Sequence, residues 1–199
     1  MNKNNWILLV LCALMGLSLQ SCKEDDGTVE EFPNWQTKNE AFVQTLATDS
    51  MTQSNWVKIE KYSLSASATG AVSDYIYVHK MADSTVNHSS ATPLYTDSVS
   101  IHYRGTLLPS TSYPKGYVFD TTYSLPFDAT ISRPTTLVVS SLITGFSTAV
   151  QKMHQGDHWI IYIPYQLGYG TTTSSTIPAY STLIFDVRLV KSWRVKLAS

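Results

Sequence analysis

The sequence is poor in cysteine and in charged residues. Only two of its 199 residues are cysteines and 15% are charged, against about 25% in ordinary globular proteins. The hydrophobic fraction of 43% is unremarkable, so the chain is predicted to fold around a core rather than stay disordered. The formal net charge is −1 and no lysine or arginine cluster is present, which excludes a basic surface for a phosphate backbone. We therefore expect no nucleic-acid partner.

Most motifs of reactive sites are also missing. The sequence has no glycine-rich phosphate loop, no His-Glu-x-x-His helix and no nucleophile elbow. No two acidic residues lie in an apolar context suited to hydrolysis. His154 and His158 have a spacing that could bind a metal on one helix, but Gly156 between them favours a helix end and two surface histidines. We expect neither a metal nor a cofactor.

The N-terminal segment is apolar and nearly uncharged. Residues 1–21 carry one charge and an apolar run from Trp6 to Leu19, which is long enough for a signal peptide and short for a membrane span. The four residues ending at Cys22 resemble the bacterial lipobox, which implies cleavage before Cys22 and acylation of its thiol. Cys12 would leave with the signal peptide, so no disulfide is expected. The alternative is a simple signal anchor in which Cys22 is incidental.

An acidic stretch, 22–33, begins at this cysteine. Five of the fifteen acidic residues of the chain lie between Glu24 and Glu31, a composition typical of a solvated tether. The stretch also resembles the surface-export signal of Bacteroidetes lipoproteins. We expect an outer-membrane lipoprotein of the cell envelope, facing the periplasm or the surface and attached to the membrane by a lipid anchor at Cys22.

The remaining chain is predicted to combine several strands with two helices. In the 34–74 extension, apolar residues fall near helical spacing from Asn34, a candidate N-cap, to about Ser50. The predicted strands are 56–62, 75–81, 99–105, 159–163 and 183–190. Alternation of apolar and polar residues predicts that 99–105 is half-buried. A second helix is predicted from Phe146 to Met153, ending before Gly156, so one antiparallel sheet would wrap on one helix.

Aromatic and aliphatic residues lie beside turn glycines and prolines in a definite order. The segments are Val99–Gly105, Val118–Asp120, Leu142–Phe146, Met153–Gly156, Ile163–Gly170 and Ile177–Val187. In this order they resemble the FKBP-type peptidyl-prolyl cis/trans isomerases over about residues 75–193, which leaves 194–199 as a tail. The resemblance implies an α+β fold in which a bent antiparallel β-sheet, a half-barrel, wraps around one short α-helix, here with an N-terminal helical extension.

The resemblance also implies an aromatic pocket that holds a prolyl ring of a polypeptide. The residues implied as catalytic are Asp120, Tyr169, Tyr103 and Phe119, and those implied as substrate-binding are Phe127, Leu142, Ile143, Phe146, Ile177 and Phe185. Phe146 would form the floor, and Tyr169 would donate its hydroxyl to a substrate carbonyl. The backbone N–H of Ile143 would bind a second carbonyl. Asp120 would accept a hydrogen bond from the Tyr103 hydroxyl.

Three departures from the family pattern leave two functions open. The floor residue is most often Trp and here is Phe146, and the 171–176 loop lacks the aromatic or His common there. The connection from Phe127 to Leu142 is longer than in minimal members, and the arginine often found between Asp120 and the second Phe is missing. The expected function is isomerisation of X-Pro bonds during folding of exported proteins. The alternative is a non-catalytic binding or chaperone module of the same fold at the cell envelope.

The oligomeric state depends on the N-terminal helix. In related exported isomerases an N-terminal helical region dimerises the protein. A single helix of this length buries little surface and could equally pack on its own domain. We therefore favour a monomer.

Overall fold

The computed structural model describes residues 29–63, 70–82 and 91–194. The predicted signal peptide 1–21 and Cys22 lie outside the described residues. Contacts divide the chain into two units, residues 1–30 and Glu31–Ser199, and every helix and strand of the described residues belongs to the second. No described helix is both long and apolar enough to cross a bilayer.

Seven strands in the described residues form one antiparallel sheet. They are β1 (Trp56–Glu60), β2 (Tyr75–Lys80), β3 (Ser98–Thr106), β4 (Val118–Thr121), β5 (Thr135–Val138), β6 (His158–Ile163) and β7 (Leu183–Trp193). Their order is β1-β2-β6-β7-β3-β4, and β5 also pairs with β3. The pairing register of β3 shifts at two places: after Ser100 in its pairing with β7, and after Gly105 in its pairing with β4. Irregularities of this kind bend a strand. The expected antiparallel sheet is confirmed, and it includes β1 from the 34–74 extension.

The core lies between this sheet and the short helix α2 (Thr144–Val150). Six of its seven residues, from Gly145 to Val150, are buried. The helix ends three residues before Met153, the end predicted from the apolar spacing, because Lys152 and Met153 donate to carbonyls three residues back instead of four. Met153 is still fully buried. The apolar spacing therefore identified the buried side chains correctly but overestimated the length of the helix.

Strand β3 is more buried than alternation predicts. Ser100 and His102, the expected solvent-facing residues of its first half, are both about 6% exposed, as is Ser98 at its start. The segment after β4 covers this face at His102, where the Phe127 ring packs edge-on at 5.1 Å; beside it, Thr122 donates its backbone N–H to the Tyr103 carbonyl at 2.9 Å. The prediction of a half-buried strand is wrong for this half, and at His102 the reason is that the Phe127 ring takes the place of solvent.

Helix α1 (Trp35–Thr48) packs on its own domain. The buried Asn39 side chain donates to the Trp35 carbonyl and accepts from the Thr182 backbone N–H, both at 2.7 Å. Trp35 Nε1 donates to Ser181 Oγ at 2.8 Å. Asn34 occupies the N-cap position in a left-handed conformation, but its side chain makes no capping hydrogen bond. The predicted N-cap position is therefore correct, but the Asn34 side chain does not stabilise it, and the helix is held by its buried face.

Candidate functional site

A cavity of about 420 Å³ opens between α2, the β3–β4 pair and the loop after β6. We call it the aromatic cavity; its lining residues are Tyr103, Phe119, Asp120, Leu137, Ser141, Leu142, Ile143, Phe146, Tyr169, Ser174, Ser175, Thr176, Ile177 and Phe185. Nine of the ten residues expected to form the site are therefore brought together. Phe127 is the exception.

Three phenylalanines make the apolar part of the aromatic cavity. Phe185 meets Phe146 edge-on at 4.8 Å and Phe119 edge-on at 5.4 Å between ring centroids. Phe146 and Phe185 are 4% and 6% exposed, so their rings are fixed by packing on the side away from the cavity. Gly105 makes room for this arrangement, because a Cβ there would lie 2.5 Å from the Phe119 ring. The result is an apolar wall of ring edges and faces.

Asp120 and Tyr103 supply the polar rim. The two residues lie on the paired strands β4 and β3, and the Tyr103 hydroxyl donates a hydrogen bond to Asp120 Oδ2. Burial, with a further contribution from the neighbouring Asp120, raises the pKa of Tyr103. Tyr103 therefore stays protonated at neutral pH and remains a hydrogen-bond donor. Asp120 itself is exposed at the cavity mouth rather than enclosed by apolar groups.

The loop after β6 carries two lining residues of the aromatic cavity, Tyr169 and Ile177. The backbone N–H of Gly170, at φ +74°, donates to the Tyr165 carbonyl at 2.8 Å. Ser174 and Ile177 exchange two backbone hydrogen bonds of 3.0 and 2.9 Å. Ile177 is thereby held at 6% exposure, whereas Tyr169 is 42% exposed with its ring in the cavity lining. A buried wall and an accessible phenol thus come from one short loop.

Phe127 lies on the other side of the sheet from the aromatic cavity. Its ring contacts His102 and Tyr123, and the Arg188 guanidinium lies 4.4 Å from its centroid. His102 and Tyr103 are consecutive in β3 and so face opposite sides; Phe127 packs with His102 on the outer side. Placing Phe127 in the pocket is therefore wrong. Leu137 on β5 lines the cavity instead, and it could have been found from the strand-forming run that contains it.

The hydroxyl side chains that line the cavity were not among the predicted site residues. Ser141 lies just before α2, and Ser174, Ser175 and Thr176 form the turn opposite it. Serine and threonine are so common in this chain that their composition carries no signal. Only the fold of the 171–176 loop identifies which of them line the cavity.

The two histidines considered as metal ligands have different surroundings. His158 is 8% exposed and hydrogen-bonds to Asp186 at 2.8 Å, so the prediction of a surface histidine is wrong at this position. The cause is the β6–β7 pairing, which places His158 against the neighbouring strand. His154 lies in the turn before β6 and is 41% exposed at its side chain. Within the described ranges no three histidine, cysteine or acidic residues are grouped to hold a metal.

Comparison of the sequence with models of known protein families gives one match that includes this cavity. Residues 89–190 match the sequence model of the FKBP-type peptidyl-prolyl cis-trans isomerases, a segment that contains every residue of the aromatic cavity. The chain belongs to the FKBP-type isomerase family. Helix α1 and strands β1 and β2 precede the matched segment.

Individual FKBP-type relatives match over about half of the chain. The macrophage infectivity potentiator of Trypanosoma cruzi is 37% identical over 99 residues, which are 49% of this chain and 44% of that protein. The FKBP-type 22 kDa peptidyl-prolyl cis-trans isomerase of Escherichia coli is 33% identical over 104 residues, 51% of this chain and 44% of that protein. The outer membrane protein MIP of Legionella longbeachae is 33% identical over 103 residues, 51% of this chain and 39% of that protein. The matched part thus spans less than half of these relatives.

Solved structures support the FKBP-type fold. The crystal structure of FkpA from Escherichia coli superposes with a TM-score of 0.57 at 20% identity, covering 98% of this chain and 83% of that one. A peptidyl-prolyl cis-trans isomerase from Pseudomonas syringae gives a TM-score of 0.55 at 18% identity, covering 80% and 96% of the two chains. At these identities the likeness shows the fold alone.

Proposed function

We propose that this protein catalyses cis/trans isomerisation of X-Pro peptide bonds in the aromatic cavity. The observation that carries the proposal is the convergence of Phe119, Phe146 and Phe185 with the hydrogen-bonded pair Asp120 and Tyr103 around one cavity. Membership of the FKBP-type family supports it. The substrates are proline-containing segments of polypeptides, and the reaction needs no cofactor because no bond is made or cut.

The chemistry of the peptide bond explains why such a cavity can act as a catalyst. Rotation about the amide costs roughly 18–20 kcal/mol because resonance is lost, and the tertiary amide of proline leaves cis and trans close in energy. The twisted amide has less charge separation than the planar one. A dry pocket therefore disfavours the planar ground state more than the twisted transition state.

Each rim residue has a proposed role in this rotation. Tyr169, with an accessible phenol, donates to a substrate carbonyl and fixes the chain on one side of the proline. Ile143 immediately precedes α2, where backbone N–H groups lack partners within the helix, and its N–H binds a second carbonyl. Asp120 and Tyr103 orient the amide at the cavity mouth. With the carbonyls held, the prolyl ring can turn against the phenylalanine rings.

An isomerisation assay tests this proposal directly. Cis-to-trans conversion of short peptides Ala-Xaa-Pro-Phe is followed with and without the purified protein, Xaa being varied from alanine to leucine and glutamate. We expect catalysis with at least one Xaa and acceleration of a proline-limited refolding reaction. Absence of acceleration with every peptide and with the refolding substrate would contradict the enzyme proposal.

A binding module is the second candidate, and the hydroxyl-lined turn favours it. Ser174, Ser175 and Thr176 stand at the cavity wall in place of an aromatic side chain, which removes apolar contact to a substrate. Phe146 also offers a smaller floor than a Trp would. Saturable binding of a macrolide ligand of FKBP proteins, measured without any turnover in the same preparation, would support the module over the enzyme.

For the cellular location, we propose a lipid-anchored protein of the outer membrane that assists folding of exported proteins. Its support is the lipobox-like sequence at Cys22 and the acidic stretch after it; a relative is named as an outer membrane protein. Cys22→Ala is expected to abolish incorporation of labelled fatty acid into the protein, with Cys12→Ala as the control that keeps it. A native protein that stays with the membrane without taking up the label would argue for the signal anchor. Protease treatment of intact cells then separates surface from periplasmic exposure.

A further inference from the structure

A second cavity adjoins the aromatic cavity. Its volume is about 310 Å³, and Glu31, Phe32, Ser112, Tyr113, Tyr117 and Thr176 line it. We call it the side cavity. Thr176 lines both cavities, so the hydroxyl-bearing turn is a shared wall between them. A chain bound in the aromatic cavity and leaving over Thr176 would enter the side cavity next.

The segment before helix α1 forms one wall of the side cavity and is firmly attached. The Glu31 carboxylate accepts hydrogen bonds from the Ser110 hydroxyl and from the Ser112 backbone N–H, the latter at 3.0 Å. These hydrogen bonds lower the pKa of Glu31, so the carboxylate stays ionised at neutral pH. Lys38 Nζ donates to the Pro109 carbonyl on the same loop at 2.5 Å. The wall is therefore fixed at two places.

Aromatic rings from two separate parts of the chain face the side cavity. Phe32 packs edge-on against the buried Trp35 at 4.8 Å, which fixes its position. Tyr113 and Tyr117 meet edge-on at 4.9 Å. The Tyr113 carbonyl accepts from the backbone N–H groups of Ser110 and Gly116 at 3.0 and 2.9 Å, so the backbone is held while the side chain stays 42% exposed. An exposed aromatic side chain on a well-held backbone is suited to contact a ligand rather than the core.

We propose that the side cavity is a subsite for an aromatic or large aliphatic side chain of the polypeptide whose proline occupies the aromatic cavity. This inference rests on the proposed function. The shared wall at Thr176 favours a single chain as the occupant of both cavities, and the rings favour an apolar side chain. An extended chain advances about 3.3–3.6 Å per residue, so the side chain belongs to a residue a few positions from the proline. The subsite would select clients by sequence outside the X-Pro pair.

A peptide series with the full chain tests the subsite. The reference peptide carries Ala-Pro in an alanine and glycine background, and each other peptide carries one phenylalanine two to five residues before or after the proline. We expect one position to raise kcat/KM at least about fivefold over the reference. Tyr113→Ala should abolish that gain and leave turnover of the reference peptide unchanged. Tyr95→Ala is the matched control, because Tyr95 is 41% exposed and lies in neither cavity.

The outcomes separate the subsite from the proposed function. Turnover of the reference peptide with no gain at any phenylalanine position would overturn the subsite and leave the isomerase proposal standing. A gain that survives Tyr113→Ala, or a Tyr113→Ala protein that loses the reference activity, would equally overturn it. Absence of turnover with every peptide would contradict the isomerase itself.

Discussion

Asp120→Val is expected to lower kcat/KM for an Ala-Pro peptide by about ten- to hundredfold and to leave the protein folded. The Tyr103 hydroxyl donates to this carboxylate at the mouth of the aromatic cavity. Without the carboxylate, Tyr103 loses its partner, and the cavity loses the one carboxylate among its described lining residues. Because Asp120 is exposed, the free energy of unfolding should change little. Peptide isomerisation and thermal unfolding are measured on the same preparation.

Two further variants show whether Asp120 acts through Tyr103. Asp128→Val removes another exposed carboxylate, which accepts hydrogen bonds from the backbone N–H and the hydroxyl of Thr130. This variant should keep full activity. Tyr103→Phe should lose part of the activity, and the double variant should be no worse than Asp120→Val, since the pair would act as one unit. Full activity of Asp120→Val would remove the pair from the proposed mechanism. A strictly additive double variant would mean that the two groups act separately.

Gly145→Val is expected to lower the free energy of unfolding by about 3 kcal/mol or more. A Cβ at this position would lie 2.3 Å from Ile163 Cγ2 and 3.2 Å from Ile76 Cγ2, and both isoleucines are fully buried in the sheet. Neither can move aside without opening the core. For a domain of this size the melting temperature should fall by roughly 6–12 °C. Differential scanning calorimetry provides the measurement.

The neighbouring Thr144 offers the control for this overpacking. Thr144 is only half-buried at the start of α2, so Thr144→Val should change the melting temperature little. If crowding is the cause, Gly145→Ala combined with Ile163→Ala should be more stable than the sum of the two single variants predicts. Equal melting temperatures for Gly145→Val and the native protein would show that α2 can withdraw from the sheet.

The sheet and most of the site could be predicted because their signals are local. Alternation identified β7 from its own residues, and its Leu183, Phe185 and Val187 are all buried. The apolar face of α2 was equally clear in the sequence. Phe146 was therefore predicted both from the helical spacing of apolar residues and from the family resemblance. Where neighbouring residues in the chain are also neighbours in the structure, pattern and fold agree.

The misplaced residues depend instead on distant parts of the chain. Whether Phe127 enters the cavity depends on the side of β3 over which the long connection runs, and its contact with His102 decides this. His158 is buried because β7 pairs beside it, a partner nearly thirty residues away. The spacing of residues along the sequence predicts neither the position of Phe127 nor the burial of His158. The cavity-lining hydroxyls of Ser174 and Thr176 were missed for a different reason: their turn is local, closed by hydrogen bonds between Ser174 and Ile177, but serine and threonine are too common in this chain to mark it.

The position of β7 also constrains the order in which the chain can be assembled. β7 follows every other described strand in sequence, yet it lies between β6 and β3 and joins them. Until β7 has been synthesised and inserted, β1-β2-β6 and the β3 group are two separate ribbons with unpaired edges, a state prone to pairing with other chains. Most of the pairing is non-local, which slows folding. A protein proposed to help others fold would thus itself complete its sheet only after β7 has emerged.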